Sequence, residues 1–444
     1  MRRTRAKDHS AAAPPPVPRL AATAGSASRR RPAGRVVAGA GPGAQDTAGF
    51  PSPVDVAGVD ADVPAAIAHA LEEVLADRLG RARVLDAEFA GELADRVARF
   101  TREGGKRTRS QLLWWSMRAC GGGDEATAVA ALRIGAALEL LQTCALVHDD
   151  VMDGSALRRG RPALHADVRD GCHGGVSPAR AARFGEAAAV LAGDLALAWA
   201  DDVVADTPLD PWTATVVREV WSDMRTEMVA GQFLDLSGQL TGTRSPSQAL
   251  RAAHLKSALY SVERPLALGG AVAGADGRTL RALCSAGRCV GMAFQLRDDL
   301  DDVFGDPRDT GKSCGGDVRD GKPTYLAALA VERAGATADR QALEVLDRAL
   351  GNEDLTPAGL DEVREVLERT GARAAVEAKI DRLSAQGLRH FDGTRLEAGA
   401  AGRLRGLLTA QAAPRAADRH RPPTGPDPVP GAAPAGSGAT EGGR

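Results

Sequence analysis

Helical signals rich in Ala and Leu fill the middle of the chain, and alternating runs of β-branched residues are hard to find. The pattern therefore predicts helix almost throughout and an all-α fold class. From about residue 53 to residue 411 these signals are broken only by short Gly, Pro and Asp punctuation, which predicts one large helical domain. A helix is expected from about Asp62 to Arg102, broken near Gly80 and ended at Gly104-Gly105. The next runs from about Thr108 to Ala119. After Gly121-Gly122-Gly123, Asp124 is placed to cap a long apolar helix from Ala126 to Met152. A loop follows through Arg158-Arg159-Gly160 and the Gly-rich stretch from Gly171 to Ser177. Gly287 to Phe304 repeats the form of an apolar helix running into carboxylates, followed by a Gly-, Lys- and Asp-rich segment to Lys322.

The two ends lack this pattern. Residues 1–52 are rich in Ala, Pro, Gly and Arg, and residues 412–444 in Pro, Gly and Ala, so both are expected to be disordered tails. Arg2-Arg3 could open a twin-arginine export signal, but Ala-Pro-Pro-Pro-Val-Pro stands where the apolar stretch should be. The longest apolar stretches, such as Ala187 to Ala200 with Asp194 inside, are too short or interrupted for a transmembrane segment.

Composition narrows the function only by exclusion. With 56 basic and 58 acidic residues the net charge is −2, so bulk charge points to neither a nucleic-acid nor a membrane-surface partner, and any anion must be held by a local cluster. Cys120, Cys144, Cys172, Cys284, Cys289 and Cys314 form no C-x-x-C pair, which fits separate thiols in a reducing compartment, by default the cytoplasm.

The chemistry lies in two carboxylate clusters. In Val147-His148-Asp149-Asp150-Val151-Met152-Asp153, helical spacing stacks Asp149 on Asp153 with Asp150 beside them. Like charges repel there, and a helix C-terminus disfavours anions further, so something positive must compensate. Asp298, Asp299 and Asp302 repeat the same i, i+1, i+4 spacing at the end of a second apolar helix. Oxygen-only ligation suits Mg²⁺, which commonly shares its shell with substrate phosphates. Candidate phosphate cations surround both clusters: Lys106, Arg107 and Arg109; Arg158 and Arg159; Lys256; Lys312 and Lys322. Glycines beside them, as at Gly104-Gly105, are expected to let backbone approach an anion closely.

Six ordered segments make the chain similar to the trans-isoprenyl diphosphate synthase (polyprenyl synthetase) family. They are Gly104-Gly-Lys-Arg-Thr-Arg109; Asp149-Asp-Val-Met-Asp153 with Leu157-Arg-Arg-Gly160; Gly231-Gln-Phe-Leu-Asp235; Lys256-Ser-Ala-Leu-Tyr260; Phe294-Gln-Leu-Arg-Asp-Asp-Leu-Asp-Asp302; and Gly311-Lys-Ser-Cys-Gly-Gly-Asp317 with Gly321-Lys-Pro-Thr324. The resemblance implies an antiparallel helical bundle around a deep central cavity, usually a homodimer, with three Mg²⁺ ions between facing aspartate clusters. It implies Asp149, Asp153 and Asp298 as direct ligands, with Asp150, Asp299 and Asp302 acting directly or through water. Lys106, Arg109 and Arg159 would hold isopentenyl diphosphate, with Gln142 where many members carry histidine. Arg158, Lys256, Ser257, Gln295, Lys312 and Lys322 would serve the allylic diphosphate.

The implied chemistry is elongation: an allylic diphosphate ionises and isopentenyl diphosphate attacks through its double bond. His148, beside Asp149, is expected to be a structural neighbour rather than a base. A terpene cyclase would normally replace the second aspartate cluster, and a non-catalytic subunit of a heteromeric synthase would lose one; both clusters are intact here. Cys144 and Ala145 stand one helical turn before Asp149, about 5.4 Å deeper, with Leu141 a further turn away. Small residues at that level leave the path of the growing chain open. A product of at least twenty carbons follows, geranylgeranyl diphosphate first and longer polyprenyl chains as the alternative.

Overall fold

The computed structural model describes residues 54–413 except 173, 243 and 306–313. The predicted first tail, residues 414–444 of the second, and Lys312 lie outside the described residues; Ala412, assigned to the second tail, instead ends the last helix and is buried. Within the described residues, the only strands are two residues each, and all other regular structure is helical.

The bundle is built from α1 (Val63–Leu85), α2 (Asp95–Arg102), α3 (Thr108–Ala119) and α4 (Glu125–Met152). The hairpin strands β1 (Leu157–Arg158) and β2 (Arg161–Pro162) lead to α5 (Pro178–Ala205) and α6 (Pro211–Thr241). A helical passage then runs through α7 (Pro246–Ala253), a wider π-helical segment from His254 to Glu263, and α8 (Arg264–Val272). The long α9 (Gly277–Phe304) follows, and after four shorter helices among the described residues the chain returns through α10 (Ala372–Asp392) and α11 (Ala398–Ala412).

Local chemistry fixes the starts of the functional helices. The Asp124 carboxylate accepts from the Thr127 amide at 2.8 Å and caps α4. Asp210 caps α6, with Pro211 in the first helical position where its missing N–H costs nothing. Asp276 caps α9, which begins ten residues before the predicted Gly287 because that cap, unlike Gly287, leaves the first-turn amides satisfied. The predicted break at Gly80 does not occur: Gly80 continues α1, and the helix ends at Asp86, whose side chain turns to cap the next turn through the Phe89 amide.

One core joins α1, α3, α4 and α5 around Ile67, Leu71, Trp114, Leu113, Ile134 and Leu138. A second lies under the end of α9, where Leu296, Leu300 and Val303 meet Leu326, Leu346 and Val363. Helix α4 is long and apolar enough to cross a membrane by length and composition, which the sequence reading had denied to every stretch. Most of it is buried inside the bundle, as a core helix of this composition should be. Each core thus supports one helix that ends in aspartates.

Candidate active site

The first aspartate cluster occupies the last turn of α4. Asp150 is completely buried, and Asp149 and Asp153 are largely so. The compensating charge that the sequence demanded comes from three elements. Arg158, on β1, donates through Nε to Asp150 Oδ1 at 2.8 Å and through Nη2 to both Asp150 and Asp149. Lys256 donates to Asp149 Oδ1 at 3.1 Å and to Asp235 Oδ2 at 2.7 Å. Lys322 lies 3.0 Å from Asp153 Oδ2 and 3.5 Å from Asp317 Oδ1. Burial pushes the Asp149 carboxyl up, but Lys256, Lys322 and Arg158 outweigh it and hold the group below its ordinary value. Burial likewise opposes the charge on Lys256, and Asp235 and Asp149 overcome it.

The second cluster lies on the last turns of α9. Asp299 is buried and accepts from Gln295 Nε2 at 2.7 Å. Burial, with Asp317, Asp298 and Asp235 as negative neighbours, pushes its pKa well above the ordinary carboxylate value. Asp302 accepts from the Asp317 amide at 3.0 Å. Lys256 and Lys322 link the first cluster to Asp235 and Asp317, whose negative charge is felt at Asp299.

Two backbone features make these contacts possible. Lys256 sits in the widened helical segment, a feature frequent at functional sites. Gly231 of α6 lies directly against that backbone, where a Cβ would meet Lys256 N at 2.2 Å. Any larger residue at 231 would push apart the helices that carry Gln232, Asp235 and Lys256. Arg159 and Gly160 form the two-residue turn between β1 and β2, both with positive φ, as tight hairpin turns require. The hairpin separates adjacent arginines: Arg158 turns to the aspartates, while Arg159 donates to the Glu103 carbonyl at 2.9 Å beside the Gly104–Arg109 loop.

That loop is the second basic region. Lys106 is exposed, and Arg109 lies over the Tyr260 ring at 4.4 Å while donating to Ser261 Oγ at 2.9 Å. Burial pushes the Tyr260 hydroxyl up, keeping it a donor, and it donates to Gln142 Oε1 at 2.9 Å. Arg107 is a correction to the sequence reading, which grouped it with the phosphate cations. Its buried guanidinium turns inward, 3.2 Å from Glu139 Oε2. Its backbone is left-handed (φ 50°, ψ 36°), which costs a non-glycine residue about 1–2 kcal/mol. A Cβ on Gly104 would lie 3.1 Å from the Thr101 carbonyl and in ordinary contact with Arg107 and Glu139, and one on Gly105 would touch Arg159 at 3.6 Å.

Among the other predicted residues, Ser257 follows Lys256 on the widened segment. Cys144 is buried with Sγ 3.7 Å from His148 Nδ1, Ala145 is half-buried, and Leu141 is fully buried. His148 packs its ring on Gly193 and meets the Val190 carbonyl at 3.1 Å, a structural neighbour of α5. Sequence reasoning gave no role to Gln232, which donates to Asp149 Oδ1 at 3.1 Å, or to Asp235. Their i, i+3 spacing on α6 was the signal that could have paired them.

The donor set fits a hard cation. Asp150 Oδ2 and Asp153 Oδ1 are buried without a hydrogen-bond partner, and every candidate ligand is a carboxylate oxygen. Among the described residues no group of three or more His, Cys, Asp or Glu side chains is arranged to hold a metal alone. Lysine and arginine occupy those carboxylates instead, and Mg²⁺ ordinarily completes its shell with water and substrate phosphate.

A model of the polyprenyl synthetase family matches residues 91–365. A short chain isoprenyl diphosphate synthase of Methanothermobacter thermautotrophicus is 31% identical over 300 residues, covering 62% of this chain and 84% of that protein. The chloroplastic geranylgeranyl pyrophosphate synthase 3 of Arabidopsis thaliana is 34% identical over 256 residues, 56% of this chain and 66% of that protein. Among solved structures, a geranylgeranyl pyrophosphate synthase of Corynebacterium glutamicum, complexed with isoprenyl diphosphate and magnesium, superimposes with a TM-score of 0.72. It is 33% identical and covers 79% of this chain and 99% of its own.

Proposed function

Because the chain belongs to the polyprenyl synthetase family, we propose that it condenses isopentenyl diphosphate with an allylic diphosphate and releases mainly geranylgeranyl diphosphate. The observation that carries this reading is the pair of aspartate clusters, the first linked by Lys256 and Lys322 to Asp235 and Asp317, flanked by a separate basic loop. One cationic region serves a leaving diphosphate, and the other serves a diphosphate that stays attached.

Asp149, Asp153 and Asp298 are the proposed direct Mg²⁺ ligands, with Asp150, Asp299 and Asp302 beside them and three ions in all. When bound, Mg²⁺ supplies the positive charge that stabilises a departing diphosphate. Arg158, Lys256 and Lys322, with Ser257, Gln295 and Lys312, hold the allylic diphosphate and favour breaking of its C–O bond. Lys106, Arg109, Arg159 and Gln142 hold isopentenyl diphosphate, so that its double bond faces the new cation and orientation supplies much of the rate. The carbon–carbon bond forms between them, and a proton then leaves the condensed product. His148 is engaged with α5, so the released diphosphate is the proposed base.

Product length rests on Cys144, Ala145 and Leu141. Cys144 is turned toward His148, which leaves half-buried Ala145 as the small residue at the level below Asp149. Leu141, one turn further, is the proposed floor. Replacing Ala145 with Phe should shorten the product from twenty to fifteen carbons, read by chromatography of the dephosphorylated products. An unchanged product from a stable variant contradicts the open level, and longer chains from the wild type would favour a long-chain synthase. The proposed assembly is a homodimer, supported by Phe184 and Leu191, exposed and seven residues apart on α5. Six free thiols support a reducing compartment such as the cytoplasm.

A further inference from the structure

Helix α4 carries three functional levels. The aspartates end it, Gln142 stands two turns before Asp149, and Glu139 stands one turn before Gln142. Glu139 is 8% exposed, and its neighbours Leu138, Leu140 and Leu141 are fully buried. A carboxylate in such a place must be partnered. Ser110 Oγ donates to Glu139 Oε1 at 2.7 Å, and Arg107 Nη1 lies 3.2 Å from Oε2.

Both partners belong to the basic loop and the start of α3. Arg107 is the left-handed residue between Lys106 and that helix, so the pair fastens the loop at its one unusual backbone position. Arg107 also reaches the Arg102 carbonyl at 3.3 Å, and Gln111 Nε2 holds the Lys106 carbonyl at 2.7 Å. Gly104 lies beside the pair, where a Cβ would come 3.1 Å from the Thr101 carbonyl and touch Arg107 and Glu139. Glu139 is also the largest favourable electrostatic partner of Arg159, whose charge is opposed by burial and by Arg158, Arg109 and Arg107. One carboxylate on α4 thus meets the loop through Arg107 and the field of the hairpin arginine.

We propose that Glu139 is a positioning residue of the isopentenyl diphosphate site: through Arg107 it locks the Gly104–Arg109 loop, presetting Lys106 and Arg109, without touching substrate itself. This rests on the assignment of Lys106 and Arg109 to that substrate. Simple electrostatics predicts the opposite effect, because removing a negative charge beside a diphosphate site should tighten binding. The sign of the change therefore decides between an anchor and a mere neighbouring charge.

The test is steady-state kinetics of the full chain with Mg²⁺, varying isopentenyl diphosphate and the allylic diphosphate separately. Glu139→Gln should raise KM for isopentenyl diphosphate about tenfold or more, with KM for the allylic substrate within about twofold and kcat within about threefold. Glu139→Asp, which keeps the charge, should recover part of the loss. The double variant Glu139→Leu, Arg107→Leu replaces the buried pair with apolar groups and is expected to fold even if the single variant does not. It should show the same selective rise in KM. Arg109→Ala separates the two levels of inference: an unchanged KM for isopentenyl diphosphate in that variant removes the substrate assignment itself. If Arg109→Ala raises that KM while the folded Glu139 variants leave it unchanged or lower it, the anchor is overturned. Equal rises for both substrates would also overturn it, since they indicate a general structural defect.

Discussion

The two aspartate clusters share a sequence spacing and differ in electrostatics. At the end of α4, Arg158, Lys256 and Lys322 reach the carboxylates directly, and Asp149 is held below its ordinary pKa. At the end of α9, buried Asp299 takes an amide from Gln295 and faces Asp317, Asp298 and Asp235, so its pKa is pushed well up. The contrast is one of degree: burial also pushes Asp150 and Asp153 up, but Arg158, Lys322 and Lys256 offset part of that, whereas Asp299 has the neutral Gln295 amide in their place. On the proposed reading, the protein's own cations help to organise the first cluster, and an added cation would relieve the repulsion around Asp299.

The largest expected effect comes from removing a ligand at either cluster. Asp149→Ala and Asp298→Ala should each abolish turnover, and activity within about tenfold of wild type at saturating Mg²⁺ would remove the ligand assignment. Asp149→Ala also takes the acceptor from Lys256, Gln232 and Arg158, so a lowered melting temperature is expected.

Next in size is loss of a bridging cation. Lys256→Ala should lower kcat/KM on the order of 10²-fold, the scale for one fixed donor to developing charge. Because Lys256 spans Asp149 and Asp235, its allylic substrate dependence should change more than its isopentenyl diphosphate dependence. Equal changes in both would break the division between the two basic regions.

Stability without metal sharpens the contrast further. Asp150→Asn leaves the half-buried Arg158 without its closest carboxylate; breaking a buried pair costs up to about 3–5 kcal/mol, so the melting temperature should fall. Asp299→Asn removes a charge among like charges, and the melting temperature should rise. The pH sign follows from the direction of the shift. A carboxyl whose folded pKa is raised binds more protons when folded, so its contribution to stability falls as pH rises from the unfolded value through the folded one. Wild type should lose stability across that window relative to Asp299→Asn, and parallel melting curves of the two against pH would contradict the raised value.

The helices and clusters were legible because they depend on local pattern. Asp124 capping α4, the bounds of α3 and the i, i+1, i+4 carboxylates are all properties of adjacent residues. The helix break at Asp86 was not legible, since Gly80 is the weaker helix former and only the capping geometry favours Asp86. Nor was the inward turn of Arg107, because its partner Glu139 lies on another helix and the sequence shows only a basic run. Arg158 and Arg159 divide their work for the same kind of reason: a hairpin turn with two positive φ values points neighbours in different directions.

The smallest expected effect is that of the ends. Deleting residues 1–50 and 415–444 should leave activity nearly unchanged, because they lack the apolar period needed to pack on a helical core. A large rise in either KM of the truncated protein would show that an end contributes to the site.

The central claim, that the two clusters and the separate basic loop serve a chain-lengthening condensation, is tested most directly by product analysis. The purified protein is incubated with isopentenyl diphosphate and each allylic primer, with Mg²⁺ or with chelator, and the dephosphorylated products are separated by chromatography. Elongation to twenty carbons that requires Mg²⁺ is the predicted result. A cyclised hydrocarbon without elongation, or no reaction of any primer in the presence of Mg²⁺, would contradict it.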